Sequence, residues 1–236
     1  MLTIEHLTKV YKNGKKAVDD ISLTIEAGDI YGFIGQNGAG KSTTIKSIVG
    51  VQDFDSGKIE IDGHDVKKEP IACKQITAYI PDNPDLYEHL TGIAYLNFIA
   101  DIFRVSEQER KEGIEKYAAA LEITDALPDV ISSYSHGMKQ KLALVSAFLH
   151  SPRLLVLDEP FVGLDPRASI ILREFMHELC SRGSAIFFST HVLEVAEKLC
   201  NKVAIIKDGK LLCSGSMEQL TADKSLEDLF MEGLEN

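Results

Sequence analysis

The sequence predicts an α/β fold: a core with a parallel sheet, an antiparallel β subdomain at the N-terminus and an inserted α-helical subdomain. Three observations carry this. Apolar runs of strand length recur at Leu154-Leu155-Val156-Leu157, Ala185-Ile186-Phe187-Phe188 and Val203-Ala204-Ile205-Ile206, with helical stretches between them. Continuous apolar strands alternating with helices imply a parallel sheet covered on both faces. Residues 91–149 carry helical periodicity instead, and the first thirty residues alternate apolar with polar.

Taken in order, Leu2 and Ile4, then Ile21, Leu23 and Ile25, have polar neighbours and are punctuated by Gly14 and Gly28, which reads as short antiparallel strands. Ile30-Tyr31-Gly32-Phe33-Ile34 is a brief apolar run that ends at a glycine-rich turn. A helix-like segment with Ile45, Ile48 and Val49 follows. Gly57-Lys58-Ile59-Glu60-Ile61-Asp62-Gly63 reads as another, exposed strand and turn. Leu96, Ile99, Ala100 and Phe103 recur at helical spacing, as do Ile114, Tyr117, Ala118 and Leu121, so the helical insertion is expected over about residues 83–149. Ser225 and Asp228 form a capping pattern that opens a short helix over about 225–235, docked on the body. No repeat or long linker interrupts the chain, so residues 1–236 are expected to form one domain.

Composition narrows the class. Hydrophobic residues make up 44% and charged residues 26%, which supports a sizeable core and excludes disordered, collagen-like and disulfide-scaffold classes. The net charge of −11 argues against a partner that is nucleic acid held on a broad basic face. No apolar run approaches the ~18–20 residues of a membrane span. The N-terminus lacks the basic-then-apolar layout of a signal peptide. Cys73, Cys180, Cys200 and Cys213 are far apart, as expected of reduced thiols in a cytosolic protein.

Chemistry concentrates in a few segments. Gly35-Gln36-Asn37-Gly38-Ala39-Gly40-Lys41-Ser42-Thr43 fits GxxxxGK[ST] in full, after a predicted strand and before a predicted helix. Glycines let backbone N–H groups curl around a phosphate, and a helix N-terminus adds its dipole. Lys41 then faces the β- and γ-phosphates, and the Ser42 hydroxyl is suited to Mg²⁺. The core is therefore expected to be a P-loop NTPase. Asp158 and Glu159 end an apolar strand, where parallel sheets bind ligands. There Asp158 suits Mg²⁺ and Glu159 suits polarising a water for attack on the γ-phosphate. His191 ends another core strand, a position more often packed or solvent-facing than catalytic.

The order of these elements resembles the ATP-binding subunits of ABC transporters over virtually the whole chain. Gly35–Thr43 looks like Walker A, Leu154–Glu159 like Walker B, Gly163-Leu164-Asp165 like the D-loop, and Ser189-Thr190-His191 like the switch-histidine segment. The resemblance implies that Tyr11 stacks on adenine. It also implies that Ser135 and Gly137, at the signature position, reach the γ-phosphate held by a second ATP-binding subunit. Two departures stand out. The signature reads Tyr134-Ser135-His136-Gly137-Met138 in place of LSGGQ, and Asp82 aligns with the Q-loop glutamine, which brings a carboxylate toward both Mg²⁺ and the γ-phosphate.

The family resemblance thus implies ATP and Mg²⁺ as cofactors, ATP hydrolysis, a transmembrane permease subunit as partner and a peripheral position on the cytoplasmic face of the membrane. The signature region and the C-terminal segment resemble ABC-2-type exporters of drugs, peptides or lantibiotics. The alternative is a soluble ABC ATPase of DNA repair or translation. Lys41 and Ser135 are 94 positions apart, which leaves no room for the long coiled coil of the DNA-repair relatives. Translation-factor relatives carry two cassettes, and this chain has one such phosphate loop.

Overall fold

The computed structural model describes residues 1–235. Two long strands open the chain, β1 (Leu2–Val10) and β2 (Lys16–Ile25), followed by β3 (Ile30–Ile34) and α1 (Lys41–Ile48). Next come β4 (Ser56–Ile61), the two-residue β5 (His64–Asp65), α2 (Pro70–Gln75) and β6 (Thr77–Ile80). The helical insertion holds α3 (Gly92–Ile102), α4 (Glu107–Ala120) and α5 (His136–Leu149), with 3-10 turns at Thr124–Ala126 and Ile131–Ser133. The chain then re-enters the core through β7 (Leu154–Asp158), α6 (Pro166–Ser181), β8 (Ala185–Thr190), α7 (Leu193–Leu199), β9 (Lys202–Lys207) and β10 (Lys210–Ser216). It closes with α8 (Met217–Leu220) and α9 (Leu226–Glu235).

A four-stranded antiparallel sheet has the order β2-β1-β4-β5. A six-stranded sheet has the order β10-β9-β3-β8-β7-β6, parallel throughout except for β10 at its edge. The expected α/β architecture is thus present, with three differences in detail. β1 and β2 are 9 and 10 residues long rather than short. The alternation in β1 breaks because His6 takes a left-handed φ of 51°, which moves the buried position from Ile4 to Leu7. The strand expected to be exposed at 57–63 buries Ile59 and Ile61, because β4 lies between β1 and β5 and turns one face inward.

Each parallel strand feeds two cores. Leu155 and Leu157 of β7, with Ile186 and Phe188 of β8, pack on the side of α5 and α6. Leu154 and Val156, with Ala185 and Phe187, pack on the side of α1 and the antiparallel sheet. Caps end the helices where the sequence supplies them: Ser106 and Glu109 form a capping box on α4, and Asp165 followed by Pro166 starts α6.

One joint between insertion and core carries a titratable group. The His150 ring, just after α5, stacks on Phe103, just after α3, with centroids 3.6 Å apart. Burial pushes the imidazole down from 6.5 to about 4, against the backbone groups of Ser146 and Thr77. Above pH 6.5 both folded and unfolded chains hold the ring neutral. As pH falls from 6.5 toward 4 the unfolded chain takes up the proton first, so stability falls by up to about 3 kcal/mol. His150→Phe is expected to shrink the drop in urea midpoint between pH 7 and pH 5; an unchanged drop would remove His150 as its source.

Candidate functional site

The chain leaves β3 at Ile34 and turns through Gly35–Thr43, with α1 starting at Lys41. Two glycines are required there for different reasons. Gly40 has φ +114°, and a Cβ on it would stand 2.4 Å from the Ala17 carbonyl oxygen. Gly35 has no such φ, yet a Cβ would meet the Ile206 carbonyl oxygen at 2.6 Å. The loop therefore lies directly on the backbones of β2 and β9. The β9–β10 turn ties it down further: the Gly209 N–H donates to the Ala39 carbonyl at 2.9 Å, while the Gly209 carbonyl accepts from the Asp19 N–H at 2.8 Å.

Lys41 is 6% exposed. Its Nζ donates to the carbonyls of Gly35 at 2.6 Å and Gln36 at 3.3 Å and lies 3.3 Å from Glu159 Oε1. Buried positive charge is thereby held at the mouth of the loop by two dipoles and one carboxylate.

The acid pair comes from β7, two strands from β3 with β8 between. Side chains along a strand alternate between faces. Asp158 shares the parity of Leu154 and Val156 and so faces α1, while Glu159 is due on the opposite side. Glu159 instead takes a left-handed φ of +49° at the strand's end, which returns its carboxylate to the same pocket. A non-glycine residue adopts that conformation at a cost of about 1–2 kcal/mol, and such strain clusters at functional sites. Ser189 on β8 secures both acids: its Oγ donates to Asp158 Oδ1 at 2.5 Å and accepts from the Glu159 N–H at 3.0 Å. His191 Nδ1 lies 3.0 Å from Glu159 Oε2.

Asn37, Gly38, Gly40, Lys41, Ser42 and Thr43 line one open pocket of about 220 Å³. Tyr11, Asp82, Asp158 and Glu159 complete its walls. Gly35 and Ala39 support the loop from below, and Ala39 is buried. Ser135 and Gly137 do not line this pocket. Ser135 caps α5, its Oγ accepting from the Met138 N–H at 3.3 Å. The first two turns of α5 face the segment after β7: His136 packs on Gly163, and Lys141 Nζ meets Asp165 Oδ2 at 2.7 Å. That contact holds the Asp165 carboxyl below the usual range, and Lys139 of the same helix pairs with Glu88. Gly209 escaped sequence reasoning, and Ser189 entered it only within the Ser189-Thr190-His191 segment, with no role of its own.

A glycine-rich loop between strand and helix, with an acid pair brought to it by a neighbouring parallel strand, defines a nucleoside triphosphatase. The profile of the ABC transporter family matches residues 18–162, more than half of the chain, and the chain belongs to that family. It is an ABC ATPase, hydrolysing ATP to ADP and phosphate, and the ATP-binding subunit that energises an ABC transporter. It is 35% identical over 237 residues to the ABC-type transporter ATP-binding protein EcsA of Bacillus subtilis (strain 168), covering 98% of this chain and 96% of that one. It is 34% identical to the linearmycin resistance ATP-binding protein LnrL of the same organism, over 93% of this chain and 70% of LnrL. A solved ATP-binding subunit of an ABC transporter superposes with a TM-score of 0.94 at 34% identity, covering 98% of both chains. Among the described residues no helix is long and apolar enough to cross a membrane.

Proposed function

We propose that this chain is the peripheral motor of an exporter, working at the cytoplasmic face of a membrane on a separate transmembrane permease subunit. The observation that carries the partner is an apolar cavity of about 370 Å³ between the core and the insertion, lined by Ile48, Val51, Cys73, Tyr79, Ile102 and Phe103 among others. Val51 is 66% and Ile102 52% exposed, and Ile71 on nearby α2 is 70% exposed. Large apolar side chains left in water around a cavity mark a contact surface. Export is supported by the resistance function in LnrL's name. The whole chain acts as one cassette, with residues 83–149 as its helical arm.

ATP binds with its phosphates in the loop Gly35–Thr43 and its adenine against Tyr11. Ser42 and Asp158 would hold Mg²⁺, with Asp82 beside them; their hard oxygen donors, lining one pocket, fit that ion and leave phosphate and water to complete its shell. Held there, Mg²⁺ would supply positive charge to the β- and γ-phosphates. Lys41 and the α1 N-terminus attract the same oxygens. Glu159 takes the proton of the attacking water, and His191 assists catalysis by fixing that carboxylate through its Nδ1 contact. Ser135 and Gly137 reach the γ-phosphate bound by a second ATP-binding subunit, so ATP closes two subunits head to tail. His136 and Asp82, where the family has glycine and glutamine, tune the rate.

The test is co-purification from detergent-solubilised native membranes. The wild-type chain is expected to bring down a membrane-spanning protein, and the pair Val51→Asp, Ile102→Asp to lose it while keeping the ATPase rate of the isolated subunit. Recovery of the chain alone, with no membrane protein, would overturn the transporter reading.

A further inference from the structure

Tyr11 sits in the turn between β1 and β2, and that turn is closed at its base: the Tyr11 N–H donates to the Lys15 carbonyl at 2.9 Å, and the Gly14 N–H to the Tyr11 carbonyl at 2.8 Å. The side chain is pinned at its far end as well. Its hydroxyl donates to Gln52 Oε1 at 3.1 Å and lies 3.1 Å from Thr43 Oγ1, whose own proton then points at Tyr11. Between these anchors the residue is 39% exposed and lines the nucleotide pocket. A ring held at both ends with an open face is prepared for stacking.

Gln52 supplies the outer anchor from the segment that follows α1. Its backbone N–H donates to the Lys46 carbonyl at 3.1 Å, which fixes where the side chain starts. The bond to Tyr11 is the one side-chain hydrogen bond of Gln52 among the described residues, and its Nε2 is buried without a partner. An amide kept in place with its nitrogen unsatisfied carries a free-energy penalty, so packing alone is a poor reason for glutamine here.

We propose that Gln52 is a positioning residue for the nucleotide base. It locks the Tyr11 ring in its stacking orientation and, with Thr43, ties the base side of the pocket to the phosphate loop. The ordering of the ring is thereby completed before ATP arrives, and binding no longer has to supply it. This rests on the reading of Tyr11 as the adenine-stacking residue.

A double-mutant cycle on the full chain tests it, using a fluorescent ATP analogue as probe and tripolyphosphate, which has no base, as competitor. Gln52→Leu is expected to weaken binding of the analogue by about three- to ten-fold, the range of one lost hydrogen bond. Tripolyphosphate affinity and the melting temperature should be unchanged, and KM should rise while kcat holds. In a Tyr11→Phe background, which keeps the ring and removes the hydroxyl, the effect of Gln52→Leu should vanish. Equal weakening in both backgrounds, equal weakening for tripolyphosphate, or no effect of Gln52→Leu would overturn the proposal. Tyr11→Ala separates the two ideas: loss of affinity there with none from Gln52→Leu defeats the positioning role alone, whereas no loss from Tyr11→Ala defeats the stacking role and Gln52's with it.

Discussion

Glu159→Gln is expected to keep ATP bound and to slow hydrolysis by about 10²–10⁴-fold, the usual contribution of a positioned general base. The amide has the shape of the carboxylate, and the backbone bond from the Glu159 N–H to Ser189 is untouched by the change. What disappears is the capacity to accept a proton from water. The charge is lost too, 3.3 Å from Lys41 Nζ, so the lysine is left for phosphate and affinity for ATP should rise rather than fall. With turnover blocked, the head-to-tail dimer should accumulate, read by light scattering in the presence of ATP and Mg²⁺. Hydrolysis at the parent rate would show that another group takes the proton.

Gly40→Ala should lift the phosphate loop and abolish nucleotide binding outright, while Gly38→Ala should cost the unliganded chain much less stability. Both residues have left-handed backbones, with φ +114° and +83°. A methyl group on Gly38 meets no protein atom within 4 Å, so in the unliganded chain it brings only conformational strain of about 1–2 kcal/mol. On Gly40 the same group would stand 2.4 Å from the Ala17 carbonyl oxygen, a backbone atom in β2 that has no rotamer to change. Strain and overpacking together amount to about 2–5 kcal/mol, and relief comes only by lifting the phosphate loop off its floor. Thermal melts together with titration of a fluorescent ATP analogue check this. Equal effects at the two positions would mean that close packing under the loop is not what Gly40 provides.

The parallel strands were legible because both their faces are buried, which leaves unbroken apolar runs such as 154–157 and 185–188. β6 was not, since its four residues include Thr77 and Tyr79, and β10 was not, since Lys210, Ser214 and Ser216 belong to a sheet edge. In the pocket, the residues found in advance are those whose side-chain type or local spacing carries the message: the loop Gly35–Thr43 and the pair Asp158–Glu159. Those missed act through distant neighbours. The role of Ser189 depends on β8 lying beside β7, Gly209 matters because its turn meets Ala39, and Gln52 because the segment after α1 reaches Tyr11. A linear pattern contains no trace of such encounters until the sheet order is known.

β7 gives the chemistry a reading frame. Counting outward from its middle, even-numbered residues enter one core and odd-numbered residues the other, and Asp158 inherits its direction from that count. Glu159 belongs to the opposite class and reaches the pocket only because one backbone torsion turns over. Exchanging one aliphatic side chain for another in this strand alters packing and leaves the count intact. Adding or removing a single residue interchanges the two cores and sends Asp158 away from the phosphate loop at one stroke. In this strand, length constrains the catalyst more tightly than identity does.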